Sequence, residues 1–597
     1  MSSSPFEIRY YFCISVYCCV SLMSCNKKTQ ITPDAGTSSS IPNLKKERCE
    51  VIIAGGSTAA LAAALSSAAE GFKTCLLEPT NWPGGQLTAS GVSAVDWAWH
   101  SVQKSPTEKI EVAKLNRDPR NNASVFMSWM NDLGTRAGRS NPGQCWVSLK
   151  CYEPTKLIEF SINASIEHER NLKVYLNTVV KKISSDGRKI VSLLAINRNL
   201  VSGQPVEYTY GTANELDDWY SHEDSDKFTK QTFEFAAPEG KTATFIDATE
   251  WGELLPLAGA SYVQGIEKSE KDPFVSASEK CGQAIVYPLA IEWSDKAEPI
   301  PEFISNSKIP YPKHYAINEP QKTFTWNDVW TYRRIARRDP VADKKDPKAR
   351  AAEPMPGDIS MQNWTLGNDY PYRYLFLSRA ETAVQRKNWQ GGIDIRAIEE
   401  AERHAYGWFK WLREKYPDGE NKNLMLSRNE GSVKGVFDTG NGLAKLPYIR
   451  DTRRSVGNGN FMLKYYEDLL PGVNFEDSIG IGAYVPDVHP SANCTMPPHI
   501  SSIGDEKNRP LPFYLPFRAH TNKDFDNLLV AGKTMAQTFA ANAATRLHPI
   551  EFNSGTGAGV AAGMMYKMQI SSSEISRNQI PALRTAIKKY APVEYTK

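Results

Sequence analysis

The sequence predicts an α/β protein with a parallel β-sheet and a second, mixed α+β part, and three observations support this class. First, an apolar run EVIIA (50–54), a helix-forming run STAALAAALSSAAE (57–70) and a second apolar run KTCLLE (73–78) follow one another. This is the order of a right-handed βαβ crossover. Second, glycine-rich segments occur near both ends of the chain, at 83–91 and 555–559. Third, 597 residues with 41% hydrophobic and 23% charged side chains suit two or three globular domains.

The N-terminal segment has the pattern of an export signal. Residues 10–23 are apolar but too short for a membrane span, and one positive residue, Arg9, precedes them. The run ends in LMSC, which resembles the bacterial lipobox, so we predict a signal peptide over 1–25 and lipidation at Cys25. Polar residues 26–48 predict a flexible tether. The expected product is an exported bacterial lipoprotein of the cell envelope, attached to the membrane only through its lipid; a buried helix of a cytosolic enzyme is the alternative.

Charge and cysteine content argue against several classes of protein. The 70 basic residues nearly balance the 67 acidic ones, and no sustained basic run occurs, so we predict no nucleic-acid partner. No cysteines form a C-x-x-C pair, so we predict no zinc, iron–sulfur or other metal site. Cys145 and Cys151 form either a local disulfide or two buried thiols.

The βαβ unit carries a modified dinucleotide-binding fingerprint. The usual G-x-G-x-x-G reads GGSTAA here: Gly55 makes the sharp turn, Ser57 replaces the third-position glycine, and Ala60 takes the last place. The helix start still offers free N–H groups and a positive dipole end to a phosphate. Glu78 ends the second strand about 20 residues after Gly55, where the fingerprint has an acid for ribose hydroxyls. A βαβ unit without a ligand is the alternative.

Further segments extend this pattern along the chain. They are EPTNWPGGQLTASGVSA (78–94), NPGQCWVSLKCYEPTKL (141–157), ATFIDATEWGELLPLAGASYVQGIE (243–267), YIRDTRRSVG (448–457), DSIGIGAYVPDVHP (477–490), and a closing stretch with NLLVAGK and GTGAGVAAGMM. In order and spacing they resemble the bacterial FAD-dependent oxidoreductases of the two-dinucleotide-binding-domain type. The resemblance runs from about residue 49 to about residue 570.

The resemblance implies a fold, a cofactor and a set of cofactor-binding residues. The fold is a Rossmann-like FAD-binding domain with a β-meander (49–267 and 511–597) and a mixed α+β substrate domain (268–510). A small-residue helix is expected to begin near Gly555, close to the flavin. The residues implied to bind FAD are Gly55, Gly56, Ser57, Thr58, Ala59, Ala60, Glu78, Pro79, Gly84, Gly85, Gln86, Ala248, Thr249, Gly532, Gly555 and Thr556.

Two short, proline-bounded turns carry the candidate catalytic groups. PDVHP supplies Asp487 and His489, and TRLHP supplies Arg546 and His548. Histidine is a suitable base near neutral pH, and arginine can hold a carboxylate or polarise a flavin carbonyl. For each histidine a structural hydrogen-bonding role is the alternative.

Two other groups of side chains in the middle of the chain have more than one interpretation. Arg450, Arg453 and Arg454 lie in a helix-like run, for which a solvated face is favoured over the site. Seven tryptophans could stack on a sugar, although core packing is favoured: Trp293, Trp326, Trp330, Trp364, Trp389, Trp408 and Trp411.

We therefore expect an FAD-dependent enzyme that oxidises a small organic substrate, such as a sugar-derived alcohol, by hydride transfer to flavin. The sequence does not specify the electron acceptor. An NAD(P)-dependent dehydrogenase is one alternative, but it leaves the second glycine-rich segment unexplained. A cofactor-free, carbohydrate-binding surface lipoprotein is the other, and the missing third glycine favours it.

Overall fold

The computed structural model describes residues 44–203, 212–268, 277–306, 309, 325–337, 354–415, 421–489, 491, 494 and 506–595. The predicted signal peptide, Cys25 and most of the tether lie outside these residues. Residues 45–48, at the end of the predicted tether, form a strand instead. In the part of the chain that the structure describes, no helix is both long and apolar enough to cross a membrane.

Most of the strands are short, and β7, β8 and β9 are the longest, with 9, 12 and 9 residues. In chain order they are β1 (Lys45–Arg48), β2 (Val51–Ala54), β3 (Thr74–Leu77), β4 (Val102–Ser105), β5 (Glu108–Ile110), β6 (Leu172–Tyr175), β7 (Thr178–Asp186), β8 (Lys189–Leu200), β9 (Phe228–Ala236), β10 (Thr244–Asp247), β11 (Tyr262–Val263), β12 (Ile285–Val286), β13 (Leu289–Trp293), β14 (Arg334–Ile335), β15 (Ile359–Gln362), β16 (Asp369–Tyr370), β17 (Leu424–Leu426), β18 (Arg454–Ser455), β19 (Ser478–Gly482), β20 (Phe513–Pro516) and β21 (Leu528–Val530).

Two of the α-helices, the eleventh and the thirteenth, are 21 residues long, and the others are shorter. In chain order the α-helices are α1 (Thr58–Ala69), α2 (Val112–Arg117), α3 (Ser124–Arg136), α4 (Pro154–Leu157), α5 (Asn163–His168), α6 (Leu216–Trp219), α7 (Leu254–Ala258), α8 (Glu302–Ser305), α9 (Trp326–Tyr332), α10 (Arg379–Gln385), α11 (Ile395–Lys415), α12 (Phe539–Thr545), α13 (His548–Met568), α14 (Ser572–Glu574) and α15 (Ile580–Ile587).

A parallel five-stranded sheet forms the centre of the fold. Its order is β21-β10-β2-β3-β6, so β10 lies between the first βαβ unit and β21, a strand from near the C-terminus. All residues of β2, β3, β10 and β21 are buried, as expected for a sheet covered on both faces. The predicted Rossmann-like α/β fold is confirmed.

The helices α1 and α13 pack closely through small residues. A Cβ on Gly555 would lie 2.1 Å from the carbonyl oxygen of Ala59, and one on Gly559 would lie 2.2 Å from that of Ala63. Only glycine permits this approach. The helix α13 begins at His548, so the prediction that it begins near Gly555 is wrong. Pro549, in the first turn, fits this start because its missing N–H has no intrahelical partner there.

A second sheet has the order β1-β9-β8-β7 and matches the predicted meander. The polar composition of residues 198–240 predicts an insertion, but this stretch contains the sheet strand β9. A third sheet, β14-β15-β13-β17, is antiparallel and belongs to the mixed α+β part. Trp330, Trp389 and Trp408 are buried in the hydrophobic core of the protein, as the core interpretation predicts.

Candidate functional site

The turn between β2 and α1 has the geometry of a phosphate-binding loop. Gly55 has a φ of +103°, and a Cβ there would lie 2.4 Å from the Cα of Thr249. The side chain of Ser57 caps α1 by accepting a hydrogen bond from the Ala60 N–H. The remaining N–H groups of the first helical turn have no partner within the helix. Gly55 therefore makes the turn that the fingerprint needs, and Ser57 adds a helix cap.

Gly84 and Gly85 lie directly on this helix start. The Gly84 N–H donates to the Gly56 carbonyl (3.0 Å), and the Thr58 hydroxyl donates to the Gly84 carbonyl (2.8 Å). A Cβ on Gly85 would lie 2.7 Å from the Cα of Ser57. The two glycine-rich segments thus form one continuous surface, as the resemblance implies.

Glu78 lies at the end of β3, against Gly56. One carboxylate oxygen accepts hydrogen bonds from the N–H and the hydroxyl of Thr80, at 2.8 and 2.7 Å. The other oxygen is buried without a hydrogen-bond partner. Burial raises the pKa of Glu78 to about 8. An unpartnered buried acceptor beside the phosphate-binding turn is what a bound ribose hydroxyl would satisfy.

A buried cluster of charged side chains lies between the two chain-distant segments. Lys533 forms ion pairs with Glu250 (2.5 Å) and Glu551 (3.5 Å), and Gln86 donates to Glu551 (2.7 Å). Glu250, Glu551 and Gln86 each keep one buried oxygen without a hydrogen-bond partner. Burial raises the pKa of Glu551 to about 7, although Lys533 acts in the opposite direction. Together with Glu78, these acceptors fit a polar cofactor such as FAD.

Not every residue implied to bind FAD lies at this surface. Gly532, with a φ of +67°, contacts both Ala59 and Glu551 and so lies beside the cluster. Gly555 and Thr556 lie inside α13: Gly555 packs on Ala59, and the Thr556 carbonyl accepts from Ser66 (3.1 Å). The resemblance assigns Gly555 and Thr556 to FAD binding as residues at the start of a helix. Since they lie inside α13, that reason no longer applies.

The residues around Glu78 and Gly55 have supporting contacts. The Pro79 carbonyl accepts a hydrogen bond from Arg198 (2.7 Å), and the Ala248 N–H donates to the Ala54 carbonyl (3.0 Å). Asp247 accepts from both the N–H and the hydroxyl of Thr249, which holds the backbone of Thr249 against the glycine turn.

A cavity of about 750 Å³ adjoins these segments. Its walls carry many aromatic side chains, and four arginines, two aspartates and a histidine also line it. These lining residues are Trp97, Trp99, Trp146, Tyr332, Trp364, Tyr448 and Tyr484, with Arg117, Arg333, Arg450, Arg546, Asp96, Asp487 and His489. The structure therefore brings Asp487, His489 and Arg546 of the two predicted turns together in one cavity.

His489 lies between two carboxylates. Its Nδ1 is 2.6 Å from Asp369 and its Nε2 is 3.2 Å from Asp487. Burial and Arg450 act to lower the pKa of His489, but the two aspartates outweigh them and raise it above its ordinary value of 6.5. Burial would raise the pKa of Asp487, yet His489 and Arg546 hold it well below its ordinary value. The pair can therefore hold or exchange a proton at the cavity wall.

Arg546 connects this pair to the cofactor segments. Its guanidinium donates to Asp487 (2.9 Å) and to the Tyr448 hydroxyl (2.6 Å). Its carbonyl accepts from the Gln86 side chain (2.8 Å). The side chain is fully buried because it lies in the junction between α12 and α13.

His548 is held by the backbone on both sides of its ring. Its Nε2 lies 2.8 Å from the Val92 carbonyl, and its Nδ1 accepts from the Asp96 N–H at 3.2 Å. Burial lowers the pKa of His548 to about 3, so the ring is neutral. This geometry favours the structural role that the sequence left open.

Several side chains of the site have no sequence signal. Asp369 and Arg333 come from the middle of the chain and belong to no recognised motif. Tyr448 and Tyr484 lie in the segments 448–457 and 477–490, but a single tyrosine does not by itself indicate a site. The alternation WAW at 97–99, just after the second glycine-rich segment, is a signal that was available. Of the seven tryptophans considered above, the cavity lining includes only Trp364 among the described residues.

The solvated face predicted for the three arginines is wrong. Arg450, Arg453 and Arg454 are at most 2% exposed and lie in extended or irregular backbone. Arg450 pairs with Asp369 (2.9 Å) and donates to the Ala284 carbonyl. Arg453 and Arg454 donate to backbone carbonyls as well, which compensates their burial.

Comparisons with known proteins agree with this geometry. A family model described as FAD dependent oxidoreductase matches residues 50–204 and 227–587. The break at 205–226 falls inside the stretch predicted as an insertion. A search of curated proteins finds no match.

Solved structures of flavoproteins resemble the chain at low identity. p-Nitrophenol 4-monooxygenase PnpA from Pseudomonas putida is 10% identical, over 42% of this chain and 48% of its own, with a TM-score of 0.20. An E. coli quinol fumarate reductase FrdA variant is 11% identical, over 91% of this chain and 74% of its own, with a TM-score of 0.30. The flavin-dependent brominase Bmp2 is 11% identical, over 42% and 48%, with a TM-score of 0.22. The chain spans about half the length of the monooxygenase and of the brominase.

The family match covers both glycine-rich segments, the cavity-lining turns and the C-terminal helix α13. A nicotinamide enzyme or a cofactor-free binding protein is therefore no longer needed to explain the sequence. The chain belongs to the FAD-dependent oxidoreductase family, and its cofactor is FAD.

Proposed function

We propose that this enzyme oxidises a small organic alcohol of the sugar-derived class in the 750 Å³ cavity. The observation that carries the proposal is the double role of Arg546. Its guanidinium holds Asp487 of the proton-holding pair, and its carbonyl binds Gln86 of the second glycine-rich segment. Substrate-facing groups and cofactor-facing groups are thereby joined through one residue.

The proposed FAD site uses residues from both ends of the chain. The turn Gly55–Ala60 would bind the pyrophosphate, Glu78 the ribose, and the Gly84–Gln86 segment with Gly532 the middle of the cofactor. The cluster of Lys533, Glu250 and Glu551 supplies further polar atoms beside it. When bound, FAD accepts the hydride of a substrate C–H bond.

The protein residues are proposed to handle the proton and the orientation of the substrate. As the hydride leaves carbon, the hydroxyl proton passes to His489, so the alcohol becomes a carbonyl compound and two electrons leave with the hydride. Asp369 fixes the imidazole through Nδ1, and Asp487 stabilises its protonated form. Arg546 positions Asp487, and the aromatic walls can pack on the C–H face of a sugar.

We also assign FAD binding and substrate binding to different parts of the chain. Residues 49–267 and 511–597 would hold FAD, and 268–510 would supply most substrate-facing groups, among them Asp487 and His489. A test is anaerobic mixing of the FAD-loaded protein with a panel of sugars and hydroxy acids, with the flavin absorbance recorded. This half-reaction needs no electron acceptor. Bleaching by a hydroxyl compound in the wild type but not in His489→Gln supports the proposal, whereas equal bleaching of both contradicts the role of His489.

We also propose that the protein is exported and anchored through a lipid on Cys25. Besides the lipobox, three cysteine pairs support this: Cys49–Cys75, Cys145–Cys151 and Cys281–Cys494 form disulfides with Cα–Cα distances of 6.0, 6.0 and 5.4 Å. Disulfides persist mainly in oxidising compartments. Thiol labelling of the native protein before and after reduction tests the pairs; full labelling before reduction would contradict export to such a compartment.

A further inference from the structure

We infer that the substrate carries a carboxylate, which Arg333 binds, so that the substrate class is a sugar acid or a related hydroxy acid. This inference rests on the proposed oxidation of a hydroxyl compound in the cavity. It goes further by assigning a recognition residue that no sequence motif indicates.

Arg333 is a buried guanidinium with unused donors. It follows α9 and lines the cavity, and it is 7% exposed. Its Nε and Nη1 have no hydrogen-bond partner. No carboxylate among the described residues lies within ion-pair distance of it. Leaving two N–H groups of a buried cation without an acceptor is costly, so a ligand acceptor is expected there.

The other arginines deep in the cavity differ from Arg333 in this respect. Arg450 donates to Asp369 and Asn363, and Arg546 donates to Asp487 and Tyr448. Their charges are therefore compensated within the protein. The guanidinium of Arg333 lies 5.0 Å from the centre of the Tyr332 ring, a cation–π contact that orients its plane. In a guanidinium, Nε and Nη2 lie on one edge and Nη1 and Nη2 on the next. Arg333 can therefore meet the two oxygens of a carboxylate through Nη2 and one of its two unpartnered donors.

The charge of the cavity favours an anion as well. Four arginines, Arg117, Arg333, Arg450 and Arg546, outnumber the three carboxylates at the cavity, which are those of Asp96, Asp369 and Asp487. Burial raises the pKa of Asp96, while Arg333 lowers it. The cavity is thus positive overall and attracts an acidic substrate. The aromatic walls leave room for an adjoining carbon skeleton with hydroxyl groups.

The test measures binding and flavin reduction separately, with the FAD-loaded protein. Glucuronate, gluconate and lactate are compared with glucose by calorimetry, and by anaerobic bleaching of the flavin. At least one carboxylate should bind the wild type roughly 10- to 100-fold more tightly than glucose. Arg333→Gln should abolish this preference, and Arg333→Lys should restore part of it because it keeps the charge but not the fork.

Controls separate recognition from folding and from catalysis. Arg337→Gln is the matched control, because Arg337 is four residues on, is half-exposed and pairs with Glu153 at 2.6 Å outside the cavity lining. It should retain the preference for carboxylates, and thermal unfolding should show that all three variants are folded. Equal binding of acids and glucose, no binding of any acid, or a preference that survives in Arg333→Gln would overturn the inference. A retained preference without any flavin reduction would instead contradict the proposed oxidation and leave carboxylate recognition intact.

Discussion

Replacing Glu78 by glutamine should weaken FAD binding without weakening the fold. The Thr80 N–H must face an acceptor, so the amide oxygen of the new side chain takes the place of the carboxylate oxygen that Thr80 contacts at 2.8 Å. The amide nitrogen then takes the place of the unpartnered buried oxygen. A donor replaces the acceptor that the ribose hydroxyls need, and the negative charge is lost.

The size of the effect follows from the kind of contact that is lost. A buried, charge-assisted hydrogen bond contributes about 1–3 kcal/mol, so the Kd for FAD should rise roughly 5- to 160-fold above about pH 8, where the wild-type carboxyl group is ionised. The FAD-free variant should unfold at nearly the wild-type temperature at pH 7. Burial raises the pKa of Glu78 to about 8, so the carboxyl group is mostly neutral there, as glutamine is.

The assay is titration of apoprotein with FAD, followed by flavin fluorescence, at several pH values. Wild-type affinity should increase as pH rises through about 8, because the ionised form accepts both hydroxyls, and the variant should lack this increase. Glu47→Gln is the control. It removes a carboxylate on β1 that pairs with Lys173 of β6 at 2.8 Å. Equal FAD affinity in the wild type and Glu78→Gln would refute the ribose assignment.

Three further predictions concern the other residues of the account. His489→Gln should slow flavin reduction about 10²–10⁴-fold while FAD stays bound. In the wild type the rate of flavin reduction should rise with pH through a pKa above 6.5, because only the deprotonated imidazole accepts a proton. A rate that falls over that range would exclude His489 as the base. His548→Ala should lower the free energy of unfolding by at least about 1–3 kcal/mol, because it leaves the buried Val92 carbonyl without its partner; a variant with wild-type denaturant unfolding but no flavin reduction would instead indicate catalysis. Cys25→Ser should release the protein from membranes on cell fractionation, and unchanged membrane association would rule out the lipid anchor.

Local patterns predict the nucleotide sheet well, because strand, glycine turn, helix and acid are neighbours in sequence. Gly55 and Glu78 are examples: a left-handed turn and a strand-terminal carboxylate leave a signal within a few residues. The pairing of β21 with β10 is long-range, and the family resemblance predicts only that both segments belong to the FAD-binding domain. The predicted start of α13 near Gly555 is wrong, although Pro549 marks a first helical turn.

The cavity is harder to predict because its groups come from distant segments in irregular backbone. Arg333 and Asp369 carry no local motif, and only the fold brings them near Asp487. The burial of Arg453 illustrates the same limit: its partners are the carbonyls of Trp251 and Gly391, about which sequence periodicity contains no information. Sequence predicts the type of cofactor site here, and tertiary contacts determine the substrate site.

The visible absorbance spectrum of the purified protein, with identification of the cofactor released on denaturation, tests the central claim most directly. The account predicts the bands of an oxidised flavin and the release of FAD in an equimolar amount to the chain, either as purified or after reconstitution. A colourless protein that fails to take up FAD on reconstitution would contradict it.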